Sequence, residues 1–300
     1  MGATRTSIGF VGLGNMGGNM AARLLVAGYP VCGQQRSRER VQHLIEQGLQ
    51  WCETPREVAE TAEVVVTSLP DDAVLDEVAT GASGILAGLR EDKIWVDVST
   101  VSPQASRELA TRVRAQGAWM LDAPVSGSVP QVQAGTLTIM VGGDEDAYRR
   151  VEPLLRELGT PTYIGDNGQG LVLKLAINIG LAVQMLAFAE GLLLAERSGI
   201  DRQRALDVME GSPIGSPMLR ARASIILDPP DEAWFDLRFM HKDIELALDA
   251  ARSLEIPLPT AERADEVLER ALALGYERRD LAALFQALED IATGERTPEG

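Results

Sequence analysis

Short apolar runs rich in β-branched residues alternate with helical patterns through the first half of the chain. In order, the runs are SIGFVGL, PVCG, EVVVTSL, KIWVDVS, AWMLDAP, LTIMVGG and PTYIG, and the last ends near Ile164. Such alternation is typical of βαβ units, which build a largely parallel sheet covered by helices. The pattern predicts a doubly wound α/β domain over residues 1–164.

The pattern changes after Gly165. Residues 171–198 form one long apolar stretch, and helical periodicity continues to about Ala292 without a convincing strand. The prolines of DPPDEAW, residues 228–234, predict a loop, and the final TGERTPEG resembles a frayed tail. We therefore expect residues 165–300 to form an all-helical domain whose first long helix joins it to the sheet domain.

The long apolar stretch also has the length of a membrane span. It contains Lys174, Asn178, Gln184 and Glu190, whose insertion into lipid would be costly, and no basic flank orients it. A buried helix at a domain or subunit interface is the preferred interpretation, and no membrane partner is expected.

The net charge of the chain limits the classes of partner that it is expected to bind. A formal net charge of −16 over 300 residues repels nucleic acid and anionic membranes. Small molecules or other protein chains are the expected partners, although an acidic surface also promotes solubility whatever the function.

Cysteine and histidine are both scarce. Cys32 and Cys52 are too few for a disulfide framework, which favours a reducing compartment, and the start of the chain lacks a secretory signal pattern. We therefore expect a cytoplasmic protein. Two histidines, His43 and His241, leave little material for a metal site or a Ser-His-Asp triad.

A glycine-rich turn follows the first predicted strand. Gly12, Gly14 and Gly17 have G-x-G-x-x-G spacing between that strand and a helical pattern. In a dinucleotide site, the first glycine permits a tight turn, the second lets the backbone approach the pyrophosphate, and the third allows the helix to pack on the strand. The helix N-terminus then faces the phosphates. The context favours a dinucleotide site over a glycine-rich turn without a ligand.

The second strand distinguishes between cofactors. An NAD site places an acidic residue near the end of this strand, whereas an NADP site offers arginine to the 2′-phosphate. Gln34 and Gln35 occupy the place of the acid, and Arg36 and Ser37 follow. The sequence therefore predicts NADP, with NADPH preferred over NADH. The alternative is a solvated basic start of a helix.

Five further stretches occur in a fixed order: SLPDDAVLDEV, VDVSTVSP, DAPVSGSVPQVQAGTLTIMVGG, GQGLVLKLAIN and FDLRFMHKDIELALDAA. With the glycine turn, they resemble the β-hydroxyacid dehydrogenases, which include 3-hydroxyisobutyrate dehydrogenase, tartronate semialdehyde reductase and the glyoxylate/succinic semialdehyde reductases. The resemblance covers almost the whole chain. It implies an enzyme with a Rossmann-type N-terminal domain, a helical C-terminal domain and an active site in the cleft between them. It also implies a homodimer or homotetramer.

The residues that match the family's motifs, together with those already singled out, form three sets of expected site residues. The cofactor set is Gly12, Leu13, Gly14, Asn15, Met16, Gly17, Gln35, Arg36, Ser37, Leu69, Pro70, Ser99, Thr100 and Lys242. The substrate set is Ser126, Gly127, Asn178, Phe235 and Asp243, with Ser126 and Gly127 on the substrate carboxylate. The catalytic set is Lys174 and Asn178.

Lys174 and Asn178 fit the chemistry that the resemblance implies. Reduction of a carbonyl places negative charge on its oxygen, so an adjacent proton donor is needed. Desolvation in an apolar cleft lowers the pKa of a lysine, which lets the group donate and accept protons. Asn178 lies one helical turn away on the same face and offers an amide donor. The alternative is a snorkelling lysine beside an incidental asparagine.

Other roles and the substrate stay open. Asp243 is expected to pair with Lys174 or Lys242, although ion pairs on helix surfaces are common. Many β-hydroxyacid dehydrogenases read Ser-Gly-Gly where this chain has Ser126, Gly127 and Ser128. Ser128 is expected either to crowd the carboxylate site or to add a contact to it, so the sequence does not name the substrate.

Two alternative functions also remain. Imine reductases share the fold and the NADPH preference, but usually hold Asp or Tyr at the position of Lys174. A catalytically silent NADP-binding module is known among relatives that lost this lysine. A 6-phosphogluconate dehydrogenase is disfavoured, because such enzymes have a much larger helical domain and a clustered basic site.

Overall fold

A nine-stranded sheet forms the first half of the chain in the computed structural model, which describes residues 5–230 and 232–294. Its strands are β1 (Ile8–Val11), β2 (Val31–Gln34), β3 (Gln50–Trp51), β4 (Val64–Thr67), β5 (Ile94–Asp97), β6 (Trp119–Asp122), β7 (Val125–Ser126), β8 (Leu137–Gly143) and β9 (Gly159–Gly165). The order is β3-β2-β1-β4-β5-β6-β8-β7, with β9 paired to β8. The first six strands in this order, β3-β2-β1-β4-β5-β6, are parallel to one another. β8 runs antiparallel to β6 and β7 and parallel to β9.

Both faces of the sheet are buried. Successive side chains of a strand point to opposite faces, so neighbouring residues pack into different apolar clusters. Phe10, Val66 and Val96 belong to one apolar cluster, whereas Val65 and Trp95 belong to the other. Near-continuous apolar strands of this kind specify a sheet covered by helices. The predicted doubly wound fold is confirmed.

Helices follow most of the strands. They are α1 (Asn15–Val26), α2 (Gln42–Glu46), α3 (Pro55–Thr61), α4 (Asp72–Thr80), α5 (Ile85–Gly88), α6 (Pro103–Arg114), α7 (Val129–Ala134) and α8 (Glu145–Leu158), with a 3-10 turn at Glu39–Val41. Side-chain oxygens of Thr54, Asp71, Ser102 and Asp144 accept backbone N–H groups in the first turns of α3, α4, α6 and α8. These N-caps set where the helices begin.

The long helix α9 (Gln169–Arg197) matches the predicted apolar stretch. The chain divides into two compact units, residues 1–174 and 175–300, and α9 runs through the division. By length and composition alone α9 could cross a membrane, with a mean hydropathy of 2.0 over an 18-residue window of which 39% is buried. The core helix of a soluble protein meets the same criterion, so the expected absence of a membrane stays a prediction.

The second unit is helical. After α9 it contains α10 (Arg202–Gly211), α11 (Pro217–Leu227), α12 (Leu237–Ser253), α13 (Pro259–Ala273) and α14 (Leu284–Thr293), with a 3-10 turn at Leu281–Ala283. Met185, Phe188, Met240 and Phe285 are central to its core. Within the described residues 175–230 and 232–294, its only β pairing is an isolated bridge between Asp236 and Asp280.

Two predicted irregular segments fall partly outside the described residues. The predicted loop over 228–234 lies between α11 and α12, and Asp231 within it is outside the described part. Most of the predicted frayed tail, residues 295–300, is also outside it.

Candidate active site

The glycine turn after β1 is shaped by close backbone contacts. Gly12 has φ +91°, and its N–H donates to the Gln34 carbonyl oxygen at 3.2 Å. A Cβ atom at Gly12 would collide with the Ser68 carbonyl oxygen just after β4. The turn therefore lies where the ends of β2, β1 and β4 meet, the point of strand-order reversal at which doubly wound sheets bind ligands.

The next two glycines differ in their surroundings. A Cβ atom at Gly14 would meet nothing within 4 Å, whereas one at Gly17 would collide with the Gly12 carbonyl oxygen. Gly14 and Asn15 are exposed at the start of α1, Met16 is half-buried, and Leu13 packs into the core. The open backbone at a helix N-terminus fits a dinucleotide pyrophosphate.

Alanine substitutions separate these two glycine roles. Gly14→Ala is expected to weaken dinucleotide binding about tenfold or more, because its methyl group would keep the pyrophosphate from the backbone N–H groups. Losing a hydrogen bond to a charged group costs about 1.5–3 kcal/mol. Gly17→Ala is expected to cost about 1–3 kcal/mol of folding free energy through overpacking. Cofactor titration and thermal unfolding measure the two effects. Unchanged binding in Gly14→Ala would contradict the assignment.

Gln35, Arg36 and Ser37 follow β2 as a partly exposed loop. The Arg36 guanidinium lies 3.4 Å from the Glu77 carboxylate on α4, and both side chains are more than 70% exposed. The Gln35 side-chain oxygen accepts the Arg36 backbone N–H at 3.2 Å. An exposed pair of this kind contributes little to stability, so a phosphate dianion could replace Glu77 as the partner of Arg36.

A buried polar network connects the ends of β4 and β5. The Asp97 carboxylate oxygen Oδ1 accepts the Thr67 hydroxyl at 2.7 Å and the Ser99 hydroxyl at 2.6 Å. The Ser99 hydroxyl oxygen accepts the Leu69 backbone N–H at 2.9 Å. Burial raises the pKa of Asp97, and the hydrogen bonds from Ser99 and Thr67 oppose that shift. The network fixes the predicted cofactor residues Leu69 and Ser99 beside each other.

Pro70 and Thr100 directly follow this pair of residues. Pro70 is exposed, and Thr100 is half-buried. The structure therefore collects all four predicted residues of this region at the carboxyl ends of neighbouring strands.

The predicted carboxylate-binding turn begins on β7. Ser126 pairs with Thr138 of β8, and Gly127 has φ +131°, a conformation that favours glycine. The backbone N–H and the hydroxyl of Ser128 both donate to the Gln131 side-chain oxygen at 2.9 Å. The departure at Ser128 is therefore accommodated by a local contact at the start of α7.

Lys174 and Asn178 lie one turn apart on α9 and are 9% and 1% exposed. The Asn178 amide nitrogen donates to the Asp243 oxygen Oδ2 at 2.5 Å, and the Lys242 ammonium lies 3.0 Å from Oδ1. The expected pairing of Asp243 with Lys242 is present. Its hydrogen bond to Asn178 was not expected, and it fixes the orientation of that amide.

Phe235 is held by an aspartate that the sequence did not indicate. The Asp280 oxygen Oδ2 accepts the backbone N–H groups of Trp234 and Phe235 at 3.0 and 3.1 Å. The Arg222 guanidinium approaches Asp280 at 3.4 Å. The ring of Phe235 stacks on that of Phe239 with centroids 6.5 Å apart. Asp280 thus shapes the loop that precedes α12.

Two family models match consecutive parts of the chain. Residues 7–166 match the NAD binding domain of 6-phosphogluconate dehydrogenase. Residues 168–288 match the family described as NAD-binding of NADP-dependent 3-hydroxyisobutyrate dehydrogenase.

Individual proteins match over nearly the full length. The chain is 33% identical to 2-(hydroxymethyl)glutarate dehydrogenase of Eubacterium barkeri, over 95% of each chain. It is 34% identical to the mitochondrial 3-hydroxyisobutyrate dehydrogenase of Mus musculus, over 96% of this chain and 88% of that protein. A solved 3-hydroxyisobutyrate dehydrogenase of Mycobacterium tuberculosis with L-serine superposes with a TM-score of 0.84 at 31% identity, covering 94% and 99% of the two chains.

Proposed function

The chain belongs to the β-hydroxyacid dehydrogenase family, and from this premise we propose that it reduces a small carboxylated aldehyde or ketone with NADPH. The family's dehydrogenases act on the hydroxyl group of hydroxyacids with a nicotinamide cofactor, and the chain is an enzyme of this class. The observation that carries the proposal is the buried pair Lys174 and Asn178 on one face of α9.

In the proposed reaction, a nicotinamide held along these residues would supply or accept the hydride. Lys174 donates a proton to the carbonyl oxygen as negative charge develops there, and takes the proton back in the oxidative direction. The Asn178 amide, oriented by Asp243, donates a hydrogen bond to the same substrate. Ser126 and the backbone at Gly127 bind the carboxylate, which distinguishes the substrate from a simple aldehyde.

The cofactor is proposed to lie along residues of several turns. The turn from Gly12 to Gly17 holds the pyrophosphate. Leu69 and Ser99, fixed by Asp97, lie along the ribose and nicotinamide. Arg36 and Ser37 bind the 2′-phosphate, which is supported by the absence of an acidic residue at the end of β2.

Consumption of NADPH with a panel of carbonyl compounds tests this proposal. The panel contains glyoxylate, succinic semialdehyde, tartronate semialdehyde, methylmalonate semialdehyde and one cyclic imine. We expect turnover of a carboxylated aldehyde, and weaker turnover of its methyl ester because the ester lacks the anionic group. Turnover of the imine alone would assign the protein to the imine reductases instead.

A homodimer or homotetramer that uses α9 is also proposed. Several apolar side chains of this helix are exposed, including Leu173 at 38%, Ile177 at 36% and Leu194 at 71%. Such residues favour burial against a second copy. Light scattering at micromolar concentration is expected to give at least a dimer, and Leu194→Glu to weaken it. A wild-type monomer would contradict the proposal.

A further inference from the structure

A buried aspartate holds the start of α9. Asp122 is the last residue of β6 and is 0% exposed. Its oxygen Oδ1 accepts the Gly168 backbone N–H at 2.7 Å, and Oδ2 accepts the Leu171 backbone N–H at 3.0 Å. These N–H groups precede and open α9, where no carbonyl of the helix can accept them. Asp122 therefore accepts the backbone N–H groups at the start of α9, although it lies 46 residues before Gly168 in the chain.

The surrounding backbone leaves no room beside this carboxylate. A Cβ atom at Gly142 would lie 2.7 Å from Oδ1, and one at Gly170 would lie 2.9 Å from Oδ2 and collide with the Met140 carbonyl oxygen. The Asn167 side chain donates to the Met120 carbonyl oxygen at 2.8 Å, which fixes the chain just before α9. The first turn of α9 is thus tightly fixed to β6 and β8.

Burial of a carboxylate is unfavourable unless hydrogen bonds and nearby positive charge compensate for the lost water. Desolvation raises the pKa of Asp122, while the Gly168 and Leu171 N–H groups oppose that shift. The positive end of the α9 dipole adds to the compensation. The fold thus keeps a buried carboxylate, whose desolvation is unfavourable, at the start of the helix that carries Lys174.

That place has a specific relation to the proposed chemistry. Leu171 lies three residues before Lys174 on α9, and Asp122 lies four residues before Ser126. One carboxylate therefore links the helix that carries the proton donor to the strand that leads into the carboxylate-binding turn.

We propose that Asp122 is a positioning residue for Lys174. By fixing the first turn of α9, it holds the ammonium where the substrate oxygen lies, so its loss slows proton transfer without removing the cofactor site. The inference rests on the proposed function, because it takes Lys174 as the proton donor.

Asp122→Asn is the test variant, because it keeps the shape but replaces one acceptor oxygen with an NH₂ donor that faces a backbone N–H. We expect kcat to fall about 10- to 100-fold, as general acid–base catalysis contributes about 10²–10⁴-fold, while the KM and Kd for NADPH stay near their wild-type values. Asp144→Ala is the control, because it removes the N-cap of α8 in the same unit. It is expected to lower the melting temperature and leave kcat unchanged.

Amide hydrogen exchange gives a readout that does not depend on activity. The Gly168 and Leu171 amides are expected to exchange faster in Asp122→Asn than in the wild type, with the exchange of β1 amides unchanged. Unchanged exchange at both amides would overturn the proposed contact.

If Asp122→Asn does not fold, Gly170→Ala tests from the helix side whether a displaced first turn of α9 slows the reaction. Its methyl group would press on both the Met140 carbonyl oxygen and the Asp122 carboxylate, whereas a methyl group at Gly180 on the same helix would meet nothing within 4 Å. We expect Gly170→Ala to lower kcat and Gly180→Ala to leave it unchanged.

Wild-type kcat in Asp122→Asn, or a loss of NADPH affinity with kcat intact, would overturn the positioning role. Lys174→Ala, assayed in parallel, separates this failure from that of the proposed function. Full activity in Lys174→Ala would refute the function itself, whereas an inactive Lys174→Ala beside a fully active Asp122→Asn would refute only the role of Asp122.

Discussion

Lys174→Ala is expected to lower kcat by about 10²–10⁴-fold, the usual contribution of general acid–base catalysis, and to leave the Kd for NADPH near its wild-type value. The ammonium is needed only where charge develops on the carbonyl oxygen, so its loss affects the chemical step. Steady-state kinetics and fluorescence titration with NADPH measure the two quantities.

Two further lysine variants make this test specific. Lys174→Arg keeps the positive charge but holds a proton too tightly to donate it, so it is also expected to be slow. Lys93→Ala is the matched control, because Lys93 is a partly buried lysine of the same unit whose pKa is lowered by burial. Its ammonium donates to the Glu60 carbonyl oxygen at 2.9 Å. Equal losses in Lys174→Ala and Lys93→Ala would contradict a catalytic role for Lys174.

Arg36→Ala is expected to raise the KM for NADPH by about 10- to 100-fold, because a hydrogen bond to a charged group contributes about 1.5–3 kcal/mol. The KM for NADH is expected to change little, since NADH carries no 2′-phosphate, and kcat should be retained. Arg36 is placed to bind the 2′-phosphate because it is exposed, and its partner Glu77 is also exposed.

Arg40→Ala is the matched control for this change. Arg40 is an exposed arginine on the neighbouring 3-10 turn, so its loss removes the same charge from the same region. A similar rise of the KM for NADPH in both variants would indicate a diffuse electrostatic effect. A wild-type preference for NADH would contradict the cofactor assignment.

Much of the fold could be predicted because its elements have strong local patterns. The central strands β4 and β5 are mostly apolar, and α9 is a long, predominantly apolar helix. β3 and β7 were missed because each has two residues, too few to show a period. The antiparallel pairing of β8 was also missed, since strand direction depends on the path of the chain between strands.

The candidate site was predictable only where it is local in sequence. Lys174 and Asn178 share a face because helical period places them there, and the glycine turn has a fixed spacing. The residues that orient the site act over long separations, 65 residues between Asn178 and Asp243 and 49 between Asp122 and Leu171. No local pattern encodes such contacts.

One signal for the missed residues does exist in the sequence. Asp97 and Asp122 are each the last residue of a buried apolar strand. An ionisable group there is costly unless it is bonded, so its presence indicates a polar role. The sequence could therefore mark both residues, although not their partners.

Deuterium transfer is the measurement that tests the account most directly. The enzyme is incubated with succinic semialdehyde or glyoxylate and with NADPH deuterated at one face or the other of nicotinamide C4. The deuterium content of the hydroxyacid product is then measured by mass spectrometry. We expect one deuterium in the product from one of the two labelled faces, and product formation to fall with Lys174→Ala. NADPH that binds but delivers no deuterium to any carboxylated aldehyde of the panel would contradict the account.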